Sequence, residues 1–412
     1  MKGMDIGGMQ RRLEGYIKTD STYLFGSGFW LVLAKVLGVL ASFALGIAFA
    51  NLLEKELYGN YKYIISLAAI ISTLSLTGVG TALTRAAARG FDGELEHSYR
   101  LTFYSSLIGS FVAICASVYY FLNANELLGW SFAIIALCTP FSNVSSLFRS
   151  YLTGKKQFRV QALGTTLQGV IPALLIIAAL FFSNSVILFI AILLVTTACI
   201  GLIFEWYAKS KFHTNSERDP EATRLAIHSS ILNFLGALAS RTDAILVFQN
   251  MGGTALAVYA FATAMPDTLR GSLKIITSLA VPKFAVKAAD EVRRAVLDKT
   301  IPVTIGMAVV TIAYIVAAPY LFALFFPTYI ESLVYSQVYA LTILLSAVLA
   351  AAYFDSQLAI RERYILGIVS AVTQIGLALI GLLFFGLWGV IAARIAARIL
   401  LVSLSMYLII RR

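Results

Sequence analysis

The stretch that decides the fold is residues 185–207, which read SVILFIAILLVTTACIGLIFEWY. It contains a single charged residue, Glu205. A helix needs about 20 mostly apolar residues to cross a hydrocarbon core about 30 Å thick. This stretch therefore predicts a transmembrane helix.

The whole chain shares this character. Of its 412 residues, 59% are hydrophobic and 13% are charged, whereas soluble domains carry about 25% charged residues. A soluble globular protein is therefore excluded. Apolar runs of membrane-spanning length predict an all-α polytopic membrane protein of about twelve transmembrane helices. The runs lie at residues 24–50, 62–83, 101–122, 128–148, 161–182, 185–207, 225–249, 254–281, 301–320, 333–354, 365–384 and 387–410.

Basic residues are unevenly distributed between the connections. The net charge is +11, and 24 of the 32 Lys and Arg residues lie in the two termini and in alternate connections. The opposite connections carry two, Lys55 and Lys62, and the other six lie within runs. Because cytoplasmic loops are enriched in Lys and Arg, both termini are predicted to be cytoplasmic. The charge is thus a topology signal, and no nucleic-acid partner is indicated.

The cysteine pattern indicates no metal or disulfide chemistry. Cys115, Cys138 and Cys199 all fall within apolar runs, and the sequence has no C-x-x-C motif or Cys/His cluster. Neither a zinc site nor a disulfide framework is predicted.

Two similar segments indicate an internal duplication. Residues 147–168 read LFRSYLTGKKQFRVQALGTTLQ, and residues 353–374 read YFDSQLAIRERYILGIVSAVTQ. At an offset of 206 their aromatic, serine and basic positions correspond, for example Phe148 with Phe354. Parallel six-helix repeats around a central cavity are a known transporter plan. The predicted domains are an N-terminal lobe at 1–207, a cytoplasmic linker at 208–224 and a C-terminal lobe at 225–412.

Apart from Lys62 and Glu205, which lie at or near the ends of their runs, eight charged residues lie inside the apolar runs, and six of these are basic. Charges at the bilayer centre cost from about 2.5 to more than 10 kcal/mol each, so they are expected to face a cavity, a partner charge or a ligand. Two acids cannot neutralise six bases, so the predicted cavity is net positive and suits an anion. Arginine suits phosphate because its planar guanidinium group can donate hydrogen bonds to two oxygens at once. The bases are Lys35, Arg241, Arg270, Lys274, Arg394 and Arg398, and the acids are Asp243 and Asp267.

Less specific interpretations of the same residues stay open. Arg241 and Asp243 could simply pair with other helices, and Asp267 could pair with Arg270 one turn along its own helix. Lys35 and Arg394 could extend their charged ends to the membrane interface.

Residues 31–90 and 240–265 resemble the polysaccharide transporter family, which includes O-antigen flippases and belongs to the multidrug/oligosaccharidyl-lipid/polysaccharide (MOP) superfamily. The first segment has a long apolar helix, then LYGNY at 57–61, then an apolar helix ending in Gly-Val-Gly before a basic loop. The second, SRTDAILVFQNMGGTALAVYAFATAM, has the Arg-x-Asp helix followed by a glycine turn. This chain departs from the family near ANLLEKELYG at 50–59, where Leu-Gly-Pro is common.

The resemblance implies a flippase rather than an enzyme. Such a protein moves a polyprenyl-pyrophosphate-linked oligosaccharide, such as an O-antigen, capsule or exopolysaccharide repeat unit, across the bacterial inner membrane by alternating access. The six in-span bases would bind the diphosphate, and Asp243 and Asp267 would couple transport to a Na⁺ or H⁺ gradient or pair with a base. No cofactor is implied, and expected partners are membrane lipids, a polysaccharide polymerase and chain-length proteins.

Two other functions stay open. A cation-coupled multidrug exporter of the same superfamily would have an acidic cavity, whereas this one is predicted to be basic. A membrane-embedded polysaccharide polymerase would need acid/base or metal-binding residues on an external loop. The external connections here are short, and their acids are Glu54, Glu56, Glu126 and Glu331.

Overall fold

The computed structural model describes residues 21–285, 289–346, 348–356 and 360–411, and every regular element in those ranges is helical. A 3-10 turn lies at Pro327–Tyr329. The α-helices are α1 (Ser21–Leu52), α2 (Lys55–Thr73), α3 (Val79–Ala88), α4 (Glu94–Leu122), α5 (Glu126–Val144), α6 (Leu147–Gly154), α7 (Phe158–Leu180), α8 (Val186–Phe212), α9 (Ala222–Ala285), α10 (Ala289–Phe325), α11 (Ser332–Tyr339), α12 (Leu341–Leu344), α13 (Val348–Ser356) and α14 (Ile360–Arg411).

The two longest helices each contain two membrane passes joined at one glycine. Helix α9 breaks at Gly252, with φ 82°, and α14 breaks at Gly386, with φ 56°. Positive φ is available to glycine at little cost, so each residue reverses the chain without a longer loop. The breaks separate runs 225–249 from 254–281 and 365–384 from 387–410, as the sequence predicts.

Three predicted spans are discontinuous. The span predicted at 62–83 begins earlier, at Lys55, and is split into α2 and α3, and the span at 128–148 is split into α5 and α6. The span at 333–354 becomes the short helices α11, α12 and α13. Continuous apolar runs do not reveal such breaks, because the interrupting residues, at 74–78 and 145–146 for example, include no proline and no charged residue.

Within the described ranges, eight helices are long and apolar enough to cross a membrane. Two of them, at Ala222–Ser272 and Arg361–Arg411, are 51 residues long, more than twice the length that one pass requires. With the discontinuous passes, the described residues form the predicted twelve-pass, all-α architecture in two six-helix lobes. Large apolar side chains point outward, including Phe182, Leu122 and Phe385 at 90%, 82% and 74% exposure. Such a surface suits lipid rather than water, so this is a multi-pass membrane protein.

The bundle has two distinct ends. The hairpin end carries the short connections at 53–54, 123–125, 181–185 and 326–331 and the two glycine breaks. The basic end carries the connections at 89–93 and 155–157 and the linker at 213–221, which is shorter than the predicted 208–224 because α8 continues to Phe212.

The two lobes touch closely where α2 crosses α9. A Cβ atom on Gly59 would lie 1.9 Å from the Gly253 carbonyl oxygen, so no larger residue fits without moving a helix. At the basic end the lobes also meet, where the Gly78 amide donates to Ser230 Oγ at 2.9 Å.

Candidate central cavity

A cavity of about 810 Å³ lies between the two lobes. Its walls come from the middle of α1, the first half of α2, both arms of α9, the end of α10 and Arg394 of α14. Its volume is in the range of small-molecule binding sites. Apart from tyrosines, the polar residues lining it are Ser42, Lys62, Ser66, Ser240, Arg241, Asp243, Thr263, Asp267, Thr268, Arg270 and Arg394.

Arg394 and Asp243 form a buried ion pair at the edge of this cavity. Arg394 Nη2 lies 2.5 Å from Asp243 Oδ2, and the two side chains are 7% and 5% exposed. Arg394 Nε also donates to this oxygen at 2.7 Å, and Nη1 donates to Gln374 Oε1 at 2.7 Å. The Tyr259 hydroxyl donates to the same carboxylate. Arg394 thus joins both arms of α14 to Asp243 on α9, and the two opposite charges largely neutralise each other.

This arrangement differs from the sequence-based assignment. Sequence reasoning placed Arg394 in the anion site and offered Asp243 as a partner of Arg241 or as an ion ligand. In the structure Asp243 pairs with Arg394 instead, although the two residues are 151 positions apart in the sequence. Which base pairs with which acid depends on how helices pack, and hydropathy does not specify that.

Arg270 and Asp267 form a second pair within one helix. Arg270 Nη2 lies 2.9 Å from Asp267 Oδ1, with side-chain exposures of 23% and 42%. The Tyr339 hydroxyl donates to Asp267 at 3.2 Å. Arg270 Nη1 is buried without a hydrogen-bond partner. This base therefore keeps an unused donor beside the cavity, and the i, i+3 pairing that was left open in the sequence is present.

Two cations in the cavity have no acidic partner among the described residues. Arg241 is exposed to the cavity, and no described carboxylate lies within ion-pair distance of it. Lys62 is half-buried and lies over the Tyr58 ring, 5.2 Å from its centroid. The two cations are close enough to repel each other electrostatically. The charged lining residues comprise four bases and two acids, so the lining carries a net charge of +2.

Lys62 was missed by sequence reasoning, which assigned it to an outer connection. The reason is that α2 begins at Lys55, seven residues before the predicted span, so that Lys62 lies two turns inside the helix. The signal was present in KELYGNYK at 55–62, where Tyr58 and Lys62 are spaced four apart and share one helix face.

Two of the remaining predicted site residues, Lys35 and Arg398, are not among the described residues that line the cavity. Lys35 is exposed on α1. Arg398 lies one turn beyond Arg394 and within electrostatic range of Arg270 and Asp267. Lys274 belongs to α9, but its side chain is outside the described part of the structure.

Aromatic side chains close the cavity at the hairpin end. Phe261 lies between the lobes, with its ring centroid 4.0 Å from that of Tyr329 and 4.8 Å from that of Tyr58. Outside this cluster, Lys55 and Glu331 form an ion pair at 2.5 Å that joins the lobes. Further members of the cluster are Phe43, Phe49, Tyr61, Phe322, Phe325 and Phe326.

Across the described ranges, no group of three or more His, Cys, Asp or Glu residues is close enough together to hold a metal ion.

The comparison with protein families identifies the chain. Residues 24–285, well over half of its length, match the model of the family described as polysaccharide biosynthesis protein. The chain belongs to this family. No curated protein sequence matches it significantly.

Solved structures of MOP transporters share the fold of this polysaccharide biosynthesis family member. An outward-facing multidrug resistance MATE family transporter is 16% identical with a TM-score of 0.66, covering 94% of this chain and 95% of its own. An inward-facing one is 15% identical with a TM-score of 0.67, covering 91% and 95%. A MOP transporter from Pyrococcus furiosus, described as having a binding pocket of reverse polarity, is 16% identical with a TM-score of 0.60, covering 93% and 95%.

Proposed function

We propose that this protein is a flippase for a polyprenyl-pyrophosphate-linked oligosaccharide, moving it from the cytoplasmic to the outer face of the bacterial inner membrane. The observation that carries the proposal is the pair of cations Arg241 and Lys62, which have no acidic partner among the described residues and lie in a cavity whose described lining is net positive. Like charges held close together at membrane depth are costly unless an anion neutralises them. A diphosphate is such an anion, and membership of a polysaccharide biosynthesis family supports a glycan as its cargo.

The cavity also argues against a cationic substrate. Its two acids, Asp243 and Asp267, are each paired with an arginine. A cationic drug would therefore meet two free bases and no free carboxylate among the described lining residues.

In an alternating-access cycle, the cavity would open first to one side of the membrane and then to the other. The hairpin end is closed by the aromatic cluster and by the Lys55–Glu331 pair. In the proposed cycle these contacts separate while contacts at the basic end, which we place in the cytoplasm with both termini, hold the lobes together. The glycan and diphosphate occupy the cavity, and the lipid chain stays in the bilayer.

Ion coupling through Asp243 adds one requirement to this cycle. In this conformation the Asp243 carboxylate is occupied by Arg394 and Tyr259. A proton or Na⁺ ion could bind Asp243 only in a state in which the pair has separated. Coupling by this residue therefore requires α9 and α14 to move relative to each other during transport.

The proposal is tested in a strain that lacks the gene. The assay measures surface polysaccharide and the side of the inner membrane on which lipid-linked oligosaccharide accumulates. We expect loss of surface polymer, with the intermediate retained on the cytoplasmic face. Accumulation of unpolymerised intermediate on the outer face would instead indicate a polymerase, and a polysaccharide-independent loss of drug resistance would indicate an exporter.

A further inference from the structure

A second polar cavity, of about 220 Å³, lies inside the first lobe toward the basic end. It forms where two helical passes are interrupted, between α2 and α3 and between α5 and α6. Non-helical backbone at membrane depth is tolerated where it is buried in protein or lines a polar cavity. The pocket shares no residue with the central cavity. Its lining residues are Ser75, Leu76, Thr77, Gly80, Thr102, Asn143, Ser146, Leu147, Arg149 and Ser150.

The charged residue of this pocket is Arg149. Its guanidinium makes no ion pair or hydrogen bond with any described residue, and no acid lines the pocket. Two other arginines at the basic end are paired: Arg85 contacts Glu221 at 2.6 Å and Arg89 contacts Asp219 at 3.0 Å. Arg149 therefore keeps five N–H donors for a ligand.

Buried hydroxyl groups complete the pocket. Thr102 is 3% exposed, and its Oγ1 has no hydrogen-bond partner. A buried polar atom without a hydrogen-bond partner is destabilising, so a ligand that hydrogen-bonds Thr102 would offset this cost. The Asn143 side chain is held by Ser72 and Ser75 at 2.6 and 2.9 Å, which fixes the pocket wall.

The charge is specific to the first half of the duplicated chain. At the repeat offset of 206, the position equivalent to Arg149 is Asp355, although the neighbouring Phe148 and Ser150 match Phe354 and Ser356. An arginine is thus not required to build this part of a lobe, which favours a ligand-binding role over a structural one.

We infer that this pocket binds a phosphate group, with Arg149 as its charged anchor and Thr102 as a hydroxyl partner. A cavity of about 220 Å³ admits one tetrahedral oxyanion together with a few waters. The planar guanidinium matches the bidentate geometry of phosphate. The group could come from free phosphate or from the headgroup of a phosphomonoester lipid, and the site stands independently of the proposed transport function.

The test measures thermal unfolding of the purified full-length protein in detergent while inorganic phosphate or short-chain phosphatidic acid is added. Lys156→Gln is the matched control, because it removes an exposed base from the same end of the bundle. We expect a ligand-dependent rise in Tm for the wild type and for Lys156→Gln. For Arg149→Gln we expect affinity to fall about tenfold or more, as for loss of a charge-assisted bidentate contact.

Two further variants separate binding from folding. Thr102→Val keeps the size of the side chain and is expected to weaken binding severalfold, and Arg149→Lys is expected to restore part of it. Stabilisation by inorganic phosphate identifies a site for the free anion, and stabilisation by phosphatidic acid alone identifies a lipid-headgroup site. No stabilisation by either ligand, or equal stabilisation of the wild type, Arg149→Gln and Thr102→Val, overturns the inference.

Discussion

At the scale of single residues, the charges within the membrane have two distinct roles. Arg394 is enclosed by Asp243, Gln374 and the Ser240 carbonyl, so it acts as a structural connection between helices. Arg241 and Lys62 have no acidic partner among the described residues and face the cavity. Substitution of Arg394 is therefore expected to lower stability, whereas substitution of Arg241 or Lys62 is expected to slow transport.

Arg394→Gln is expected to lower stability by about 3–5 kcal/mol, the usual cost of leaving a buried charge without its partner. Asp243 would then be 4% exposed with no base beside it. The measurement is thermal unfolding in detergent, with Arg241→Gln as the matched control, since that substitution removes an equal charge from an exposed position. Equal melting temperatures for the two variants would show that the buried pair adds nothing to stability.

At the scale of elements, the crossing of α2 over α9 sets how closely the lobes approach at the hairpin end. Gly59→Ala places a Cβ 1.9 Å from the Gly253 carbonyl oxygen. The helices must separate to relieve this contact, and each 1.4 kcal/mol of the cost shifts the open–closed equilibrium about tenfold. Gly38→Ala is the control, because nothing lies within 4 Å of its Cβ position.

The shift in the open–closed equilibrium is measured by thiol labelling. In a background without the three native cysteines, Ser332→Cys places a thiol at a position that is 0% exposed at the hairpin end. We expect a water-soluble maleimide to label it about tenfold faster with Gly59→Ala than with Gly38→Ala. Identical rates would mean that this glycine contact does not control closure.

The linker at 213–221 is held to the first lobe by Asp92. Burial raises the pKa of this carboxyl, but hydrogen bonds from Lys155 and Thr214 outweigh burial and hold the pKa below its usual value. Because the folded pKa is lowered, the stabilisation is complete above the unfolded value of about 3.9. It is lost as the pH falls through the folded pKa.

Asp92→Asn removes this charge at every pH. The Thr214 amide and hydroxyl donate to Asp92 Oδ2 at 3.0 and 2.6 Å, and the Lys155 ammonium would be left without its partner. At neutral pH we expect limited proteolysis to cut the linker several times faster than in the wild type. Asp298→Asn, an exposed acid on α10, serves as the control, and equal cleavage in all three proteins would contradict a role for Asp92 in holding the linker.

At the scale of the whole molecule, hydropathy and repeats predicted the architecture because a membrane span is a local property of about 20 residues. They predicted the boundaries between the paired passes and a cavity richer in bases than in acids. They could not predict the pairing of Arg394 with Asp243, which depends on the packing of α14 against α9. Nor could they place Lys62, whose position depends on where α2 begins, or show that Lys35 lies on the exposed side of α1.

The central claim is that a net positive cavity translocates a lipid-linked diphosphate, and transport by the purified protein in liposomes tests it most directly. The measurement is the rate at which a polyprenyl-pyrophosphate-linked oligosaccharide becomes accessible on the opposite face. The variants are Arg241→Gln and Lys62→Gln, with Lys35→Gln as a control that removes a base outside the cavity lining. We predict wild-type rates for Lys35→Gln and at least about tenfold slower transport for the other two, the cost of losing one charge-assisted contact. Wild-type rates in all three variants would contradict the account.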